Sequence, residues 1–191
     1  MNRGVAVGIL AVLALAGIAA YFLLPARLPI PVETREGLLQ SCVDEGARLG
    51  AYAQAVRSAD AEQCDSLDRQ YAAFCRAKIT GNAGPCQNLE PDLKPTCDAL
   101  AAASSTSCPA GDAFCRALSG SRADCANLGL LRFSCENMLD QDLSYAGSEK
   151  ARQDCANSVM LEAVLESRDA RNCELVENTV LRNDCARTLA R

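Results

Sequence analysis

Cysteine is the side chain through which this protein is best equipped to do chemistry. There are twelve cysteines and no histidine. Cys64, Cys86 and Cys108 recur at intervals of 22 residues, as do Cys75 and Cys97, which places a cysteine every eleven residues from 64 to 108. Thiols bind metals, exchange electrons or cross-link a chain. Zinc asks for C-x₂₋₄-C knuckles, often with histidine, yet the closest pair here is Cys108 and Cys115. Haem attachment needs C-x-x-C-H and a redox dithiol needs C-x-x-C; neither string occurs. Without histidine, the Ser-His and Cys-His nucleophile arrangements are unavailable. Lys78, Lys94 and Lys150 form no Ser-Lys motif, and the acidic pairs Asp140 with Asp142 and Asp44 with Glu45 read as solvated helix faces. The expectation is no catalytic residue, no metal ligand and no cofactor. Cys42, Cys64, Cys75, Cys86, Cys97, Cys108, Cys115, Cys125, Cys135, Cys155, Cys173 and Cys185 are expected to form disulfides.

The words around the cysteines say what must position them. One class reads as a short helical leg: EQCDSL at 62 to 67, GPCQNL at 84 to 89, ADCANL at 123 to 128 and RNCELV at 171 to 176. The other heads a longer helix: AFCRA at 73 to 77 and 113 to 117, PTCDALA at 95 to 101, FSCENML at 133 to 139, QDCANSV at 153 to 159 and NDCARTLA at 183 to 190. Repeats of this period mark stacked supersecondary units, and alternating β-branched runs are absent. One continuous helix is excluded between Cys75 and Cys97, because Gly81, Gly84, Pro85, Pro91 and Pro95 interrupt it and an interior proline costs about 3 kcal/mol. Each unit is therefore a short leg, a turn and a longer helix. An amphipathic helix from 34 to about 58 precedes them. The fold class is all-α, a string of hairpins forming either a solenoid or an irregular bundle.

Equal leg lengths put the two cysteines of one hairpin at equal height, as a disulfide requires. The expected pairs are Cys64–Cys75, Cys86–Cys97, Cys108–Cys115, Cys125–Cys135 and Cys173–Cys185. The alternative is the opposite phase, beginning Cys75–Cys86. Cys42 and Cys155 have no local partner, since Ser144 occupies the slot eleven residues before Cys155. They either clasp the N-terminal helix to the C-terminal third or pair with another protein. Aromatic residues are only 4% of the chain, so each hairpin buries little apolar surface. A disulfide closing a dozen residues offsets about 3 kcal/mol of chain entropy in the simplest account.

Residues 62 to 190 resemble tandem helical repeats of the form C-x-x-L … C-x-x-x-L-A found in exported prokaryotic proteins of unassigned function. That resemblance implies disulfide-bonded hairpins and no activity. Exported copper-storage proteins are similar only in being cysteine-rich helical bundles, because their C-x-x-x-C pairs are absent here. The twin C-x₉-C proteins share the spacing of Cys115, Cys125 and Cys135, but turns at 118 to 124 and Gly129 break both intervals.

Residues 4 to 24, GVAVGILAVLALAGIAAYFLL, contain no charge and no proline. As a helix they span roughly 31 Å, enough to cross a bilayer. The expected division is a membrane anchor at 1–24, a proline-rich spacer at 25–33 and a cysteine-rich helical domain at 34–191. A cleaved signal peptide ending near Ala19 is the rival reading. Ile18 stands where a lipobox needs cysteine, so lipidation there is excluded.

Dense cysteines belong in an oxidising compartment, and Arg3 favours a cytoplasmic N-terminus. The domain is thus expected on the periplasmic face of a bacterial inner membrane. Leaving out Arg3, the exported part has 18 basic against 24 acidic side chains, a net charge of −6, which argues against nucleic acid. No small-molecule substrate is evident. The function expected is a non-catalytic, membrane-anchored scaffold or accessory subunit for a partner protein in the cell envelope. The alternative is copper(I) sequestration or redox buffering by reduced thiols. The residues that would contact a partner are unknown; Tyr52, Tyr71 and Tyr145 are the polar aromatics suited to an interface or to partial burial.

Overall fold

The structure, a computed structural model, describes residues 31–142 and 144–190. The expected anchor at 4–24 and the spacer up to residue 30 lie outside the described residues. Among the described residues every regular element is helical, and no helix is long and apolar enough to cross a membrane.

The first helix, α1, runs over Val32–Ser58, two residues earlier than expected. Pro31 explains the difference. It sits at the N-cap, where a missing N–H costs nothing, and its carbonyl accepts the Arg35 N–H at 3.1 Å. The helix stops at Ala59, in the left-handed region (φ 52°). Ser58 Oγ there donates to Ala55 O at 2.7 Å, and Asp60 accepts the Glu62 N–H at 3.0 Å. This corner recurs where α7 (Glu149–Ser167) ends. Ser167 Oγ donates to Val164 O at 2.6 Å, Arg168 has φ 52°, and Asp169 accepts the Arg171 N–H at 3.0 Å. The shared string is Ser-x-Asp-Ala-x-x-Cys, at 58 to 64 and at 167 to 173. Each long helix is handed to a stapled hairpin by the same hydrogen bonds.

Between them lie α2 (Arg69–Thr80), α3 (Lys94–Ala101), α4 (Ala113–Leu118), α5 (Arg122–Cys125) and α6 (Arg132–Leu139); α8 (Thr179–Leu189) ends the fold. The short legs are helical, as expected, and most take a tighter form. Ala61–Ser66, Gly84–Asn88 and Ala170–Leu175 are 3-10 helices, a form used in short pieces, whereas the leg at Arg122–Cys125 is α-helical. Their geometry accounts for the C-x-x-L word. The carbonyls of Cys64, Cys86, Cys125 and Cys173 accept the N–H of Leu67, Leu89, Leu128 and Val176, at 3.1 to 3.2 Å. That bond ends the short leg and turns the fourth residue's side chain onto an apolar cluster.

Six disulfides join Cys64–Cys75, Cys86–Cys97, Cys108–Cys115, Cys125–Cys135, Cys173–Cys185 and Cys42–Cys155. The first five are the in-phase hairpin pairs, and the sixth is the clasp. Eight of these cysteines belong to three buried apolar clusters. The larger cluster packs Leu49, Tyr52, Tyr71, Phe74 and Leu100 around the 64–75 and 86–97 bridges. A second gathers Val164, Val176 and Leu181 on the 173–185 bridge, and a third surrounds the 125–135 bridge. Sulfur thus fills positions that large apolar side chains hold in a thicker core.

A solenoid repeat touches only its neighbours. Here α1 packs against α2 and also against α6 and α7, so the chain curls back on its first helix. The result is an irregular bundle. Cys42, Gly46 and Gly50 lie at intervals of four along one face of α1 and let the returning chain approach. The Cys42 and Cys155 Cα atoms are 5.8 Å apart, within the span a disulfide bridges. A methyl group on Gly46 would stand 2.6 Å from Ser134 Oγ, and one on Gly50 would stand 2.4 Å from the Ala146 Cβ.

The clasp closes a sequence separation of 113 residues, against 11 for the Cys64–Cys75 staple. Because loop entropy grows with the logarithm of length, replacing Cys42 and Cys155 together by alanine is expected to cost about 4–5 kcal/mol, against about 3 for the Cys64/Cys75 pair. Denaturant unfolding of the two double variants checks the order. A clasp variant losing less than the local one would contradict it.

Candidate functional site

A cleft of about 230 Å³ opens where α1, α2, α4 and the end of α6 meet. Its walls are Tyr52, Ala53 and Val56 of α1, Leu118 of α4, and Met138 and Leu139 of α6. Arg57 and Lys78 also line it, together with Gln141. Each of these is placed by an identifiable backbone device.

Lys78 follows Phe74 by one helical turn on the core-facing side of α2. Its ammonium donates to the Leu118 carbonyl, one of the unsatisfied C-terminal carbonyls of α4, where a cation is favoured. Burial pushes its pKa below the usual lysine value. Arg57, in the last turn of α1, donates from Nη2 to the Gln141 carbonyl at 2.9 Å. Neither cation makes an ion pair with a described carboxylate within 4.0 Å.

Gln141 itself is in the left-handed region (φ 63°). Its N–H bonds Met138 O at 3.2 Å and the Asp142 N–H bonds Asn137 O at 3.0 Å, a Schellman ending for α6. The same ending on α4 uses Gly120. A glutamine there costs about 1–2 kcal/mol relative to glycine, so the chain bears local strain at the rim of the cleft.

Tyr52 is 2% exposed and its hydroxyl is buried without a hydrogen-bond partner. The groups around the cleft are thus two cations, an orphaned phenol and an apolar wall. They suit charge-assisted hydrogen bonding beside a hydrophobic surface.

The twelve cysteines are all consumed in disulfides, with none free. Among the described residues no group of three or more acidic or cysteine side chains is placed to hold a metal ion. The acidic pairs are occupied by structural contacts. Asp44 accepts from Gln40, Glu45 from Tyr71 and Arg48, Asp140 from Arg122, and Asp142 from Ser144.

Of the two roles open to Tyr52, Tyr71 and Tyr145, interface or burial, the structure shows burial: they are 2%, 2% and 5% exposed. A chain with few aromatics commits them to packing. Tyr71 meets Tyr52, Phe74 and Phe114 with ring centroids 5.9 to 6.5 Å apart and donates to Glu45 at 2.6 Å. Tyr145 donates to Asp154 Oδ2 at 3.0 Å, an oxygen that also accepts from Lys150. Tyr145 follows Ser144 and Asp154 precedes Cys155, so this hydrogen bond stands beside the place of the missing local disulfide.

Sequence reasoning missed Arg57, Lys78 and Gln141. A signal did exist for Lys78. Lys94 and Lys150 each have an aspartate four residues on, at Asp98 and Asp154, whereas Lys78 has no acid at helical spacing.

The fold and cleft define an all-helical, disulfide-stapled domain with a small cationic and apolar recess. Compared with protein-family profiles, curated proteins and solved structures, the chain matches none.

Burial raises the phenol pKa of Tyr52, Tyr71 and Tyr145, reinforced at Tyr71 by its bond to Glu45 and at Tyr145 by the Asp154 charge. The folded state prefers the protonated phenol, so this stabilisation is fully present below the ordinary value of 10.0 and is lost as pH rises beyond it. An alkaline titration followed by phenolate absorbance and circular dichroism is expected to show these three rings ionising only together with loss of helix. Ionisation near the ordinary value with helix intact would contradict their burial.

Proposed function

We propose that the protein is a non-catalytic scaffold or accessory subunit, tethered by residues 4–24 to a bacterial inner membrane. It presents residues 34–191 on the periplasmic side to a partner protein. The observation that carries this reading is the pairing of all twelve cysteines, five as hairpin staples and one as the α1–α7 clasp. A frame so cross-linked keeps its shape with a thin core and fits an oxidising compartment. Reduced thiols, which copper sequestration or redox buffering would need, have no place in it. The apolar, uncharged run at 4–24 supports the tether, and the resemblance of residues 62 to 190 to exported hairpin repeats supports export. The net negative charge suits neither nucleic acid nor anionic lipid as the principal partner.

The test is fractionation of cells producing the full chain, followed by thiol alkylation without reduction and photo-crosslinking from surface positions in the native envelope. The chain is expected in the membrane fraction, unalkylated, with a discrete protein adduct that disappears once the disulfides are reduced. A cytoplasmic soluble chain, or one rich in alkylated thiols, would overturn the reading.

A further inference from the structure

We propose that the cleft between α1, α2, α4 and α6 is a ligand site for a small carboxylate with an apolar body, held by Arg57 and Lys78. The argument begins with charge. Among the described residues ten lysines and arginines reach a carboxylate within 4.0 Å. In a protein with more acid than base, pairing is the ordinary state of a cation. Arg57 and Lys78 depart from it while lining the same recess, and each bonds only a backbone carbonyl. An ammonium has three donors and a guanidinium five, so most of their hydrogen-bonding capacity is unspent. Lys78 is partly withdrawn from water, where an anion is bound more strongly than at an open surface.

The rest of the wall sets the ligand's other end. Val56, Leu118 and Met138 present hydrocarbon beside the two cations, so a bare inorganic anion would leave that surface unmatched. The fork of a guanidinium matches the two oxygens of a carboxylate. A recess of about 230 Å³ that opens to solvent admits a short apolar body with its carboxylate. A short aliphatic acid and the carboxyl-terminal residue of a polypeptide are both of this kind. The two sources share one chemistry, a carboxylate on a short apolar body. Gln141 and Tyr52, whose buried hydroxyl has no partner, are the remaining polar residues of the lining. This inference goes beyond the scaffold reading and does not require it, since partner crosslinking and ligand titration succeed or fail separately.

The test is calorimetric and NMR titration of the oxidised full chain with hexanoate, N-acetyl-leucine, N-acetyl-leucinamide and hexanol. Both carboxylates are expected to bind saturably, and the amide and alcohol at least tenfold more weakly. Tighter binding of hexanoate would identify a free aliphatic acid as the natural class, and tighter binding of N-acetyl-leucine a chain terminus. Arg57→Gln and Lys78→Met are each expected to weaken binding about tenfold, the loss typical of one charge-assisted hydrogen bond. Lys94→Gln, on the surface beside Asp98, is expected to leave it unchanged. Because Lys78→Met also removes the partner of the Leu118 carbonyl, the exposed Arg57→Gln decides the matter if the former fails to fold. No saturable binding, equal binding of the amide, or undiminished binding by a folded Arg57→Gln would each overturn the proposal.

Discussion

The close approach of α7 to α1 is the constraint on which the rest of the molecule depends. Hairpins of this size bury little, and a string of them touching only neighbours would expose the face that each turns toward the next. The Cys42–Cys155 bridge, at a Cα separation of 5.8 Å, folds the string back on its first helix. Gly46 and Gly50 extend the same face by having no side chain where Ser134 and Ala146 come in. One bridge and two absent methyl groups thus convert a linear array into a bundle.

Within that frame four of the five local staples have the same construction, Cys108–Cys115 being the exception. The cysteine carbonyl closes the short leg, the residue three positions on packs inward, and the sulfur crosses to the helix that follows. This is why the pairing was legible from spacing. Legs of matched length leave one phase in which paired cysteines stand level, and the C-x-x-L words mark which leg is which. The clasp was legible by subtraction, since Ser144 leaves Cys155 without a local partner and Cys42 has none upstream. The 3-10 character of the short legs was not legible, because propensity does not separate a six-residue 3-10 leg from a short α-turn. Nor was the start of α1 at Val32, because three prolines suggested an extended spacer and Pro31 turned out to be its cap.

The cleft was illegible for a different reason. Arg57 and Gln141 are 84 positions apart and meet only because α6 returns to α1. Periodicity describes one element at a time and says nothing about a recess built where four elements meet. For the tyrosines the sequence left interface and burial both open, and a chain with so few rings spends them inside. What the sequence did carry was a cation on the core-facing side of α2 with no acid in reach. Such a residue is costly unless something answers its charge.

The measurement that bears most directly on this account is a disulfide map by non-reducing digestion and intact mass, made on protein taken from its native cells with free thiols blocked. The account predicts no free thiol, five linkages each within a hairpin, and a peptide joining Cys42 to Cys155. A map with Cys75 linked to Cys86, or a native protein with eight or more free thiols, would contradict it.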